Sequence, residues 1–368
     1  MDRPIYIFAG GGTGGHLYPA LAVADDLGAL APGAQIVFAC SRREIDRQIL
    51  DPTPHAVVPQ PTRPLPRSLR GWGAFARAWA DTRRLARNMV ADLRPAAVFG
   101  LSGYAAAGVV CAAARAGVRT GLLSIDAVPG LANRYLARRV DAVFAQFDAT
   151  RAAYGRCAGK VRVVGCPVRR RLVDGDRGEA RRLFGLRDDR KTLLVMAGSQ
   201  GATNINDAVV ALRGDLDTLA GDWQVMHLTG AGKADAVRAA YADAEIRHVA
   251  CEFCDRMDLA YAAADLVLCR GGASTIGELS ATGTPAVVMP YPHHRDRQQA
   301  RNAAPLASAG AAAIVSDACD PVDNAEALRG TLIAVLADGS RLGAMRSAAG
   351  AATRPDAAAH IARWLAGQ

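Results

Sequence analysis

A histidine inside a glycine-rich segment is the residue best suited to chemistry in this chain. Residues 10 to 20 read Gly-Gly-Gly-Thr-Gly-Gly-His-Leu-Tyr-Pro-Ala and follow the apolar run Ile5–Ala9. Glycines let the backbone approach a bound group closely, and the first N–H groups of a following helix point toward that group. The pattern predicts a strand, a turn and a helix with His16 at the turn. A tight turn that binds nothing is the alternative.

A second glycine turn lies in the other half of the chain. It spans Ala197–Ala202 and contains Ser199 and Gln200, with Asn204 and Asn206 on the helix that follows. Backbone N–H donors, a hydroxyl and the positive end of a helix dipole suit a diphosphate.

The third turn, Cys269–Thr275, contains Arg270 and precedes Glu278 on the next helix. It adds donors for anionic oxygens, and a carboxylate two helical turns further on suits a ribose diol. For Glu278 a solvated position on the helix is the alternative. Gln298 and Gln299 follow in a polar segment, and paired amides, which donate and accept at once, suit sugar hydroxyls.

These turns differ from the common nucleotide-binding motifs. No Gly-Lys-Ser/Thr follows them, and no acidic ribose partner stands about twenty residues past the first turn. We therefore expect one half of the chain to hold a nucleotide-activated group and the other to hold an acceptor and a base.

Apolar runs alternate with helical stretches in two successive series. The first series is Ile5–Ala9, Ile36–Ala39, Ala96–Phe99, Gly121–Ser124 and Val143–Ala145, with a further strand expected before Gly165 in the segment that begins at Val161. The second series is Thr192–Met196, Trp223–Leu228, Leu266–Cys269, Ala286–Met289 and Ala312–Val315. This order predicts an α/β chain of two Rossmann-like doubly wound domains with a cleft between them. Ligands of such sheets bind at the carboxyl ends of the strands, where the turns lie.

Composition favours partners that carry phosphate. The chain has 44 Lys and Arg against 35 Asp and Glu, a net charge of +9 over 368 residues. Outside residues 63–87 the sequence contains no basic motif interleaved with aromatics, and it contains no zinc-finger spacing, so we expect no nucleic-acid partner. The 8 cysteines form no framework, which is typical of a reducing cytoplasm.

An aromatic stripe runs through a basic stretch in the first half. Leu69, Trp72, Phe75 and Trp79 recur at roughly helical spacing. They are accompanied by arginines 63, 67, 70, 77, 83, 84 and 87, with Asp81 as the single acid between residues 63 and 87. Such a helix suits shallow insertion at the cytoplasmic face of an anionic membrane. Packing of the aromatics on the domain's own sheet is the alternative.

Together these segments resemble the MurG family of peptidoglycan glycosyltransferases, which add N-acetylglucosamine to lipid I. The resemblance rests on Gly11–His16 with Pro19–Val23, Gly103 with Tyr104, Ala127–Asn133, Gly165 with Pro167–Arg169, Gly198–Ala202 with Asn206, Arg270–Glu278, and Asp296–Gln299 with Asn302.

The resemblance implies a GT-B fold without a bound metal or other cofactor, and inverting transfer from UDP-N-acetylglucosamine to lipid I with His16 as the base. Residues 1–165 and 352–368 would form the acceptor and membrane-associated domain, and residues 166–351 the donor domain. The implied donor residues are Arg169, Ser199, Gln200, Asn206, Arg270, Glu278, Gln298 and Gln299. The implied acceptor residues are Gly12, Thr13, Gly14, Gly15, Tyr104, Asp126 and Asn133.

One segment departs from the family pattern. Where the family usually carries His-Glu-Gln-Asn, this chain has Leu123, Ser124, Ile125 and Asp126. Three alternatives therefore stay open: a UDP-sugar transferase with a different lipid or glycan acceptor, a UDP-N-acetylglucosamine epimerase, and an inactive nucleotide-sugar-binding scaffold.

Overall fold

The chain divides into two compact units. The computed structural model describes residues 3–66, 68–196, 201–293 and 296–368. The first unit runs to Arg169 and resumes at Asp356, and the second spans Arg170–Pro355. Both junctions lie four residues beyond those expected from the sequence. Residues 352–355 group with the second unit, where the Ser280 hydroxyl donates to the Ala352 carbonyl.

The first unit contains a parallel sheet with the strand order β3-β2-β1-β4-β5-β6-β7. Its strands are β1 Ile5–Ala9, β2 Gln35–Cys40, β3 Ala56–Pro59, β4 Ala97–Gly100, β5 Arg119–Ser124, β6 Ala142–Ala145 and β7 Val161–Val163. Its α-helices before the junction are α1 Gly14–Leu30, α2 Glu44–Leu50, α3 Trp72–Leu93, α4 Ala107–Arg115 and α5 Leu131–Ala137, with 3₁₀ segments at Leu69–Gly71, Tyr104–Ala106 and Asp148–Lys160.

The second unit contains a parallel sheet with the order β10-β9-β8-β11-β12-β13. Its strands are β8 Lys191–Met196, β9 Trp223–Leu228, β10 Arg247–Cys251, β11 Leu266–Cys269, β12 Ala286–Val288 and β13 Ala312–Ile314. Its helices are α6 Arg170–Val173, α7 Arg177–Phe184, α8 Thr203–Ala211, α9 Arg213–Asp217, α10 Ala234–Ala240, α11 Met257–Ala263, α12 Ala273–Thr282, α13 Gln298–Ser308, α14 Pro321–Leu328, α15 Ala334–Ala337 and α16 Gly339–Ala351, with a π-helical turn at Arg329–Ile333.

A row of aromatic rings connects the C-terminal helix, Ala357–Ala366, to the sheet of the first unit. Phe8 of β1 lies with its ring centroid 5.6 Å from that of Phe99 on β4, and Phe99 lies 6.1 Å from Phe144 on β6. Trp364 of the C-terminal helix ends the row, 5.3 Å from Phe144 in an edge-to-face arrangement. Such pairs add to the stabilisation that burial of the rings provides.

The predicted fold class, two Rossmann-like doubly wound domains, is confirmed, but two strands were missed. They are β3 and β10, and both lie at an edge of their sheet. An edge strand is covered on fewer sides, and most residues of β3 and β10 are half-buried or exposed. Strand β3 reads Ala-Val-Val-Pro and ends in a proline, which is unfavourable within a strand, and β10 begins with the polar residues Arg247 and His248.

The strand order reverses direction once in each sheet. These switch points lie between β1 and β4 in the first unit and between β8 and β11 in the second. The glycine turns follow β1, β8 and β11, so all of them lie at the carboxyl edge beside a switch point. In doubly wound sheets this is where ligands bind.

Among the described residues, no helix is both long enough and apolar enough to span a membrane.

Candidate active site

The turn after β1 takes a backbone conformation that only glycine adopts readily. Gly11 and Gly12 have φ values of +138° and +92°. A Cβ at Gly11 would also lie 2.5 Å from the Asp46 Oδ2 atom. Glycine is therefore required here both by backbone conformation and by the close approach of a carboxylate.

Asp46 is a buried carboxylate that shapes this turn, and the sequence analysis missed it. It is fully buried in α2 and accepts hydrogen bonds from the Gly12 N–H at 2.6 Å, the Ser41 N–H at 2.9 Å and the Ser41 hydroxyl at 2.6 Å. Three donors compensate the cost of burying the charge. In the sequence, Asp46 could have been identified from its position in the helix that follows β2.

His16 lies in the first turn of α1, half-buried. Its Nδ1 lies 3.4 Å from the Thr13 hydroxyl oxygen. Burial lowers the pKa of the imidazole below its ordinary value, and the negative charge of Asp126 is the largest influence in the opposite direction. The ring is therefore neutral near pH 7 and able to accept a proton.

The segment that departs from the family pattern is buried except for its last residue. Leu123, Ser124 and Ile125 are 0%, 1% and 2% exposed, whereas Asp126 is half-buried. The first two end β5, so their side chains belong to the interior. Asp126 is the member of this segment whose charge acts on His16.

Asn133 and Tyr104, both predicted on the acceptor side, differ in their surroundings. Tyr104 begins a 3₁₀ turn after β4 and is half-buried. Asn133 is buried, and its amide donates to the Ser102 hydroxyl at 2.9 Å and to the Leu123 carbonyl at 3.0 Å. The structure thus places Asn133 as a support for the strand ends.

The turn after β8 is described only from Gly201 onward, so Ser199 and Gln200 lie outside the described residues. The Gly201 carbonyl and the Thr203 hydroxyl accept hydrogen bonds from the Lys233 ammonium at 3.0 Å and 2.9 Å. Lys233 follows Thr229-Gly-Ala-Gly232 after β9, a fourth glycine turn at a strand end that the sequence analysis overlooked.

Asn206, predicted to contact the donor, is buried in a hydrogen-bonded chain. Its amide nitrogen donates to the Thr229 carbonyl at 3.0 Å, so its oxygen faces the His227 Nε2 atom at 3.0 Å. Burial lowers the pKa of His227 to about 4, and the Tyr241 hydroxyl lies 3.3 Å from its Nδ1 atom. A neutral ring that donates from Nε2 and accepts at Nδ1 satisfies every partner.

Arg270, predicted to face the donor, forms a buried ion pair. Its guanidinium lies 2.8 Å from Asp317 Oδ2 and also donates to the Met289 and Pro290 carbonyls at 3.0 Å and 3.2 Å. The Arg270 side chain is 14% exposed and that of Asp317 0%.

Asp317 joins three segments of the second unit. Besides Arg270 it accepts hydrogen bonds from the amides of Asn204 and Asn324 and from the Cys319 N–H. Burial by itself would raise its pKa, but these hydrogen bonds outweigh burial and the pKa lies below its ordinary value. Asp317 follows β13, and in the sequence this position after a strand could have identified it as a candidate site residue.

Glu278 is half-buried in α12 and accepts a hydrogen bond from the Tyr261 hydroxyl at 2.8 Å. Tyr261 is buried, and burial raises the pKa of its phenol well above the ordinary value, followed by the charge of Glu278. The phenol therefore remains a donor, and it orients the carboxylate. The structure does not place Glu278 as a fully solvated residue.

Gln299 supports the third turn. Its side-chain oxygen accepts hydrogen bonds from the Gly271 N–H at 3.1 Å and the Tyr291 N–H at 2.8 Å. Gln298 is the first residue of α13 and is half-buried. Arg169 groups with the first unit, where its guanidinium carbon lies 5.2 Å from the centre of the Tyr18 ring.

Family comparisons agree with this arrangement of sheets and turns. The glycosyltransferase family 28 N-terminal domain matches residues 6–145, and the C-terminal domain of the same family matches residues 192–361. The fold and these two matches together identify the chain as a glycosyltransferase of family 28.

Proteins of similar sequence and structure identify the family more specifically. Proteins from Nocardioides sp. and Clavibacter sepedonicus are 37% identical over 97% of this chain and over 96% and 95% of their own length. Both are named UDP-N-acetylglucosamine–N-acetylmuramyl-(pentapeptide) pyrophosphoryl-undecaprenol N-acetylglucosamine transferase. MurG of Acinetobacter baumannii is 26% identical with a TM-score of 0.77, each chain being fully covered. This chain belongs to the MurG family.

The fold is also found in enzymes of another class. UDP-GlcNAc 2-epimerase from Neisseria meningitidis, solved with UDP-GlcNAc bound, has a TM-score of 0.68 and is 14% identical. At that identity the likeness concerns the fold alone.

The Arg270–Asp317 pair leads to a prediction about stability. Replacement of Asp317 by Ala leaves a buried guanidinium without its counter-charge, and we expect the free energy of unfolding to fall by about 3–5 kcal/mol. Replacement of Asp215 by Ala, which breaks the more exposed pair with Arg329 in the same unit, should cost much less. Urea denaturation of both variants measures the difference. Equal losses would show that the buried pair has no special role.

Proposed function

We propose that this chain transfers N-acetylglucosamine from UDP-N-acetylglucosamine to the N-acetylmuramyl 4-hydroxyl of lipid I, forming lipid II in peptidoglycan synthesis. The observation that carries the proposal is a pair of sheets with glycine turns at both switch points, in a chain 37% identical over 97% of its length to transferases named for this reaction.

In this proposal the second unit holds the donor. The start of α8 after Gly201 and the start of α12 after Gly272 direct backbone N–H groups and positive dipole ends at the diphosphate. Glu278, oriented by Tyr261, accepts hydrogen bonds from the ribose hydroxyls. Gln298 and Gln299 lie at the start of α13, beside the third turn, and bind the sugar hydroxyls.

The first unit holds the acceptor beside His16. The acceptor hydroxyl attacks the anomeric carbon on the face opposite the leaving UDP, so the new glycosidic bond forms as the bond to UDP breaks. His16 accepts the hydroxyl proton, and the helix starts of the donor unit stabilise the charge that develops on the diphosphate.

The buried segment at the end of β5 keeps the identity of the acceptor open to test. Leu123, Ser124 and Ile125 contribute no imidazole or carboxylate, so acceptor binding depends on other residues of this edge. Asp126 and Tyr104 are half-buried there and are the candidates.

Dependence of UDP release on the acceptor tests the proposed reaction. We expect purified protein to release UDP from UDP-N-acetylglucosamine only when a lipid I analogue is added, with one glycosylated product per UDP. A lipid phosphate without the muramyl sugar is the control. Formation of the 2-epimer without acceptor would indicate an epimerase, and UDP binding without turnover would indicate a scaffold.

The base is tested by substitution and by pH. Replacement of His16 by Ala should lower kcat about 10²–10⁴-fold, the usual contribution of a general base. Because the folded protein lowers the pKa of His16, the neutral ring persists below the ordinary pKa, and the acidic limb of the kcat/KM profile, which reports the free enzyme, should lie below about pH 6.5. The control is His360→Ala, at an exposed position on the C-terminal helix. A His16→Ala protein with near-normal turnover would overturn this assignment.

A membrane contact of the first unit completes the proposal. The buried face of α3 consists of Ala78, Thr82, Ala86, Met89 and Val90. The aromatics lie outside this face: Trp72 is 50% exposed and packs edge-to-face on Phe75, with ring centroids 5.8 Å apart, and Trp79 is half-buried. The Leu69 side chain lies outside the described residues.

Exposed arginines surround these aromatics. Arg63, Arg70, Arg77, Arg83, Arg84 and Arg87 are all exposed, and Asp81 pairs with Arg84 at 3.2 Å. Apolar rings next to guanidinium groups suit the interface of an anionic leaflet, where each basic residue contributes about 1 kcal/mol.

Vesicle sedimentation tests the membrane contact. The double substitution Trp72→Ala and Phe75→Ala should reduce binding to phosphatidylglycerol-containing vesicles about tenfold or more, because burial of aromatic side chains in the interface is lost. Leu183→Ala, a substitution at an exposed apolar residue of the second unit, is the control. Binding that is unchanged in the double variant would show that the aromatics serve the fold.

A further inference from the structure

Lys233 places a positive charge on the turn where the donor's diphosphate is expected. Its ammonium reaches from the turn after β9 to the start of α8, where it donates to the Gly201 carbonyl and the Thr203 hydroxyl. A Cβ at Gly201 would lie 2.8 Å from the Lys233 Nζ atom, so the glycine is what lets the ammonium close on the backbone. The charge therefore lies beside the first N–H groups of α8.

A cation is expected at the carboxyl edge of this sheet because the expected ligand is negatively charged. A diphosphate carries negative charge that grows as the bond to the sugar breaks. Arg270, the cation that the sequence suggests for this task, is paired with the buried Asp317, and the pair carries no net charge. Dipole ends of helices contribute partial charges, and a full positive charge adjacent to them contributes more.

Lysine is rare in this chain, and every lysine makes a specific contact. The sequence contains 3 lysines, and arginine supplies the other 41 of its 44 basic residues. Lys160 donates to the Val140 carbonyl and Lys191 lies over the Trp223 ring. Lys233 is the lysine at a glycine turn. An ammonium is a compact point charge with three donors, whereas a guanidinium is a planar fork.

We propose that Lys233 is a diphosphate-binding residue of the donor site, whose ammonium holds the two phosphates at the start of α8 and stabilises UDP as it leaves. The inference rests on the proposed function, because it takes the ligand to be a uridine diphosphate sugar. It adds a residue of the turn after β9 to the turns after β8 and β11.

Calorimetric titration with ligands of increasing charge tests this proposal. Lys233→Gln should weaken UDP binding at least about tenfold, as loss of a charge-assisted hydrogen bond does, weaken UMP binding less and leave uridine binding unchanged. Lys191→Gln removes the same charge from the opposite end of β8 and should bind all three ligands like the unsubstituted protein.

The outcomes separate this inference from the proposed function. If the unsubstituted protein binds UDP and Lys233→Gln binds it equally well, the inference is wrong and the proposed function stands. An equal loss for uridine, UMP and UDP would also overturn it, because that pattern means a collapsed turn rather than a missing charge. If the unsubstituted protein binds no UDP, the proposed function and the inference both fail.

Discussion

The buried ion pair between Arg270 and Asp317 is the interaction on which the second unit's functional edge depends. Its carboxylate accepts from Asn204 at the start of α8 and from the backbone after β13, while its guanidinium donates to carbonyls at the end of β12. Four strand ends are therefore connected through one charge pair. In a medium of low polarity such a pair is costly to break, and the relative positions of the turns are correspondingly well defined.

In the first unit, too, a buried carboxylate holds a glycine turn, but its hydrogen-bond donors are not a guanidinium. Asp46 is held by two backbone N–H groups and a hydroxyl, and it fixes the Gly12 peptide directly. Its negative charge also acts on His16 and on Cys40, whose pKa burial raises to about 12 with Asp46 adding to the effect. In both units a buried acid outside the glycine motif gives the turn its shape. The motif glycines supply the conformational freedom and, at Gly11, the room for the acid to approach.

The central strands and their turns were predictable because they depend on local patterns. Strand β1 is a continuous apolar run followed by glycines, and this pattern predicts both the strand and its turn. The edge strands were missed because β3 ends in Pro59 and β10 begins with the polar residues Arg247 and His248. The direction of a side chain was not predictable either. Arg270 follows β11, and Asn206 and Asn133 lie near the starts of α8 and α5, yet the polar groups of all three bond to buried protein atoms. Sequence position indicates the edge of the sheet but not whether a side chain turns inward.

The buried end of β5 has a consequence for inhibitor selectivity. Leu123 and Ser124, which occupy the positions of the family's His and Glu, are packed in the interior, so a compound whose affinity derives from an imidazole and a carboxylate there finds neither group. Exchange of Leu123 and Ser124 for His and Glu would place two polar side chains at buried positions, and we do not expect it to restore the contact by itself. Drug-like molecules directed at the nucleotide side of this enzyme class should consequently transfer to this protein better than those directed at the muramyl side.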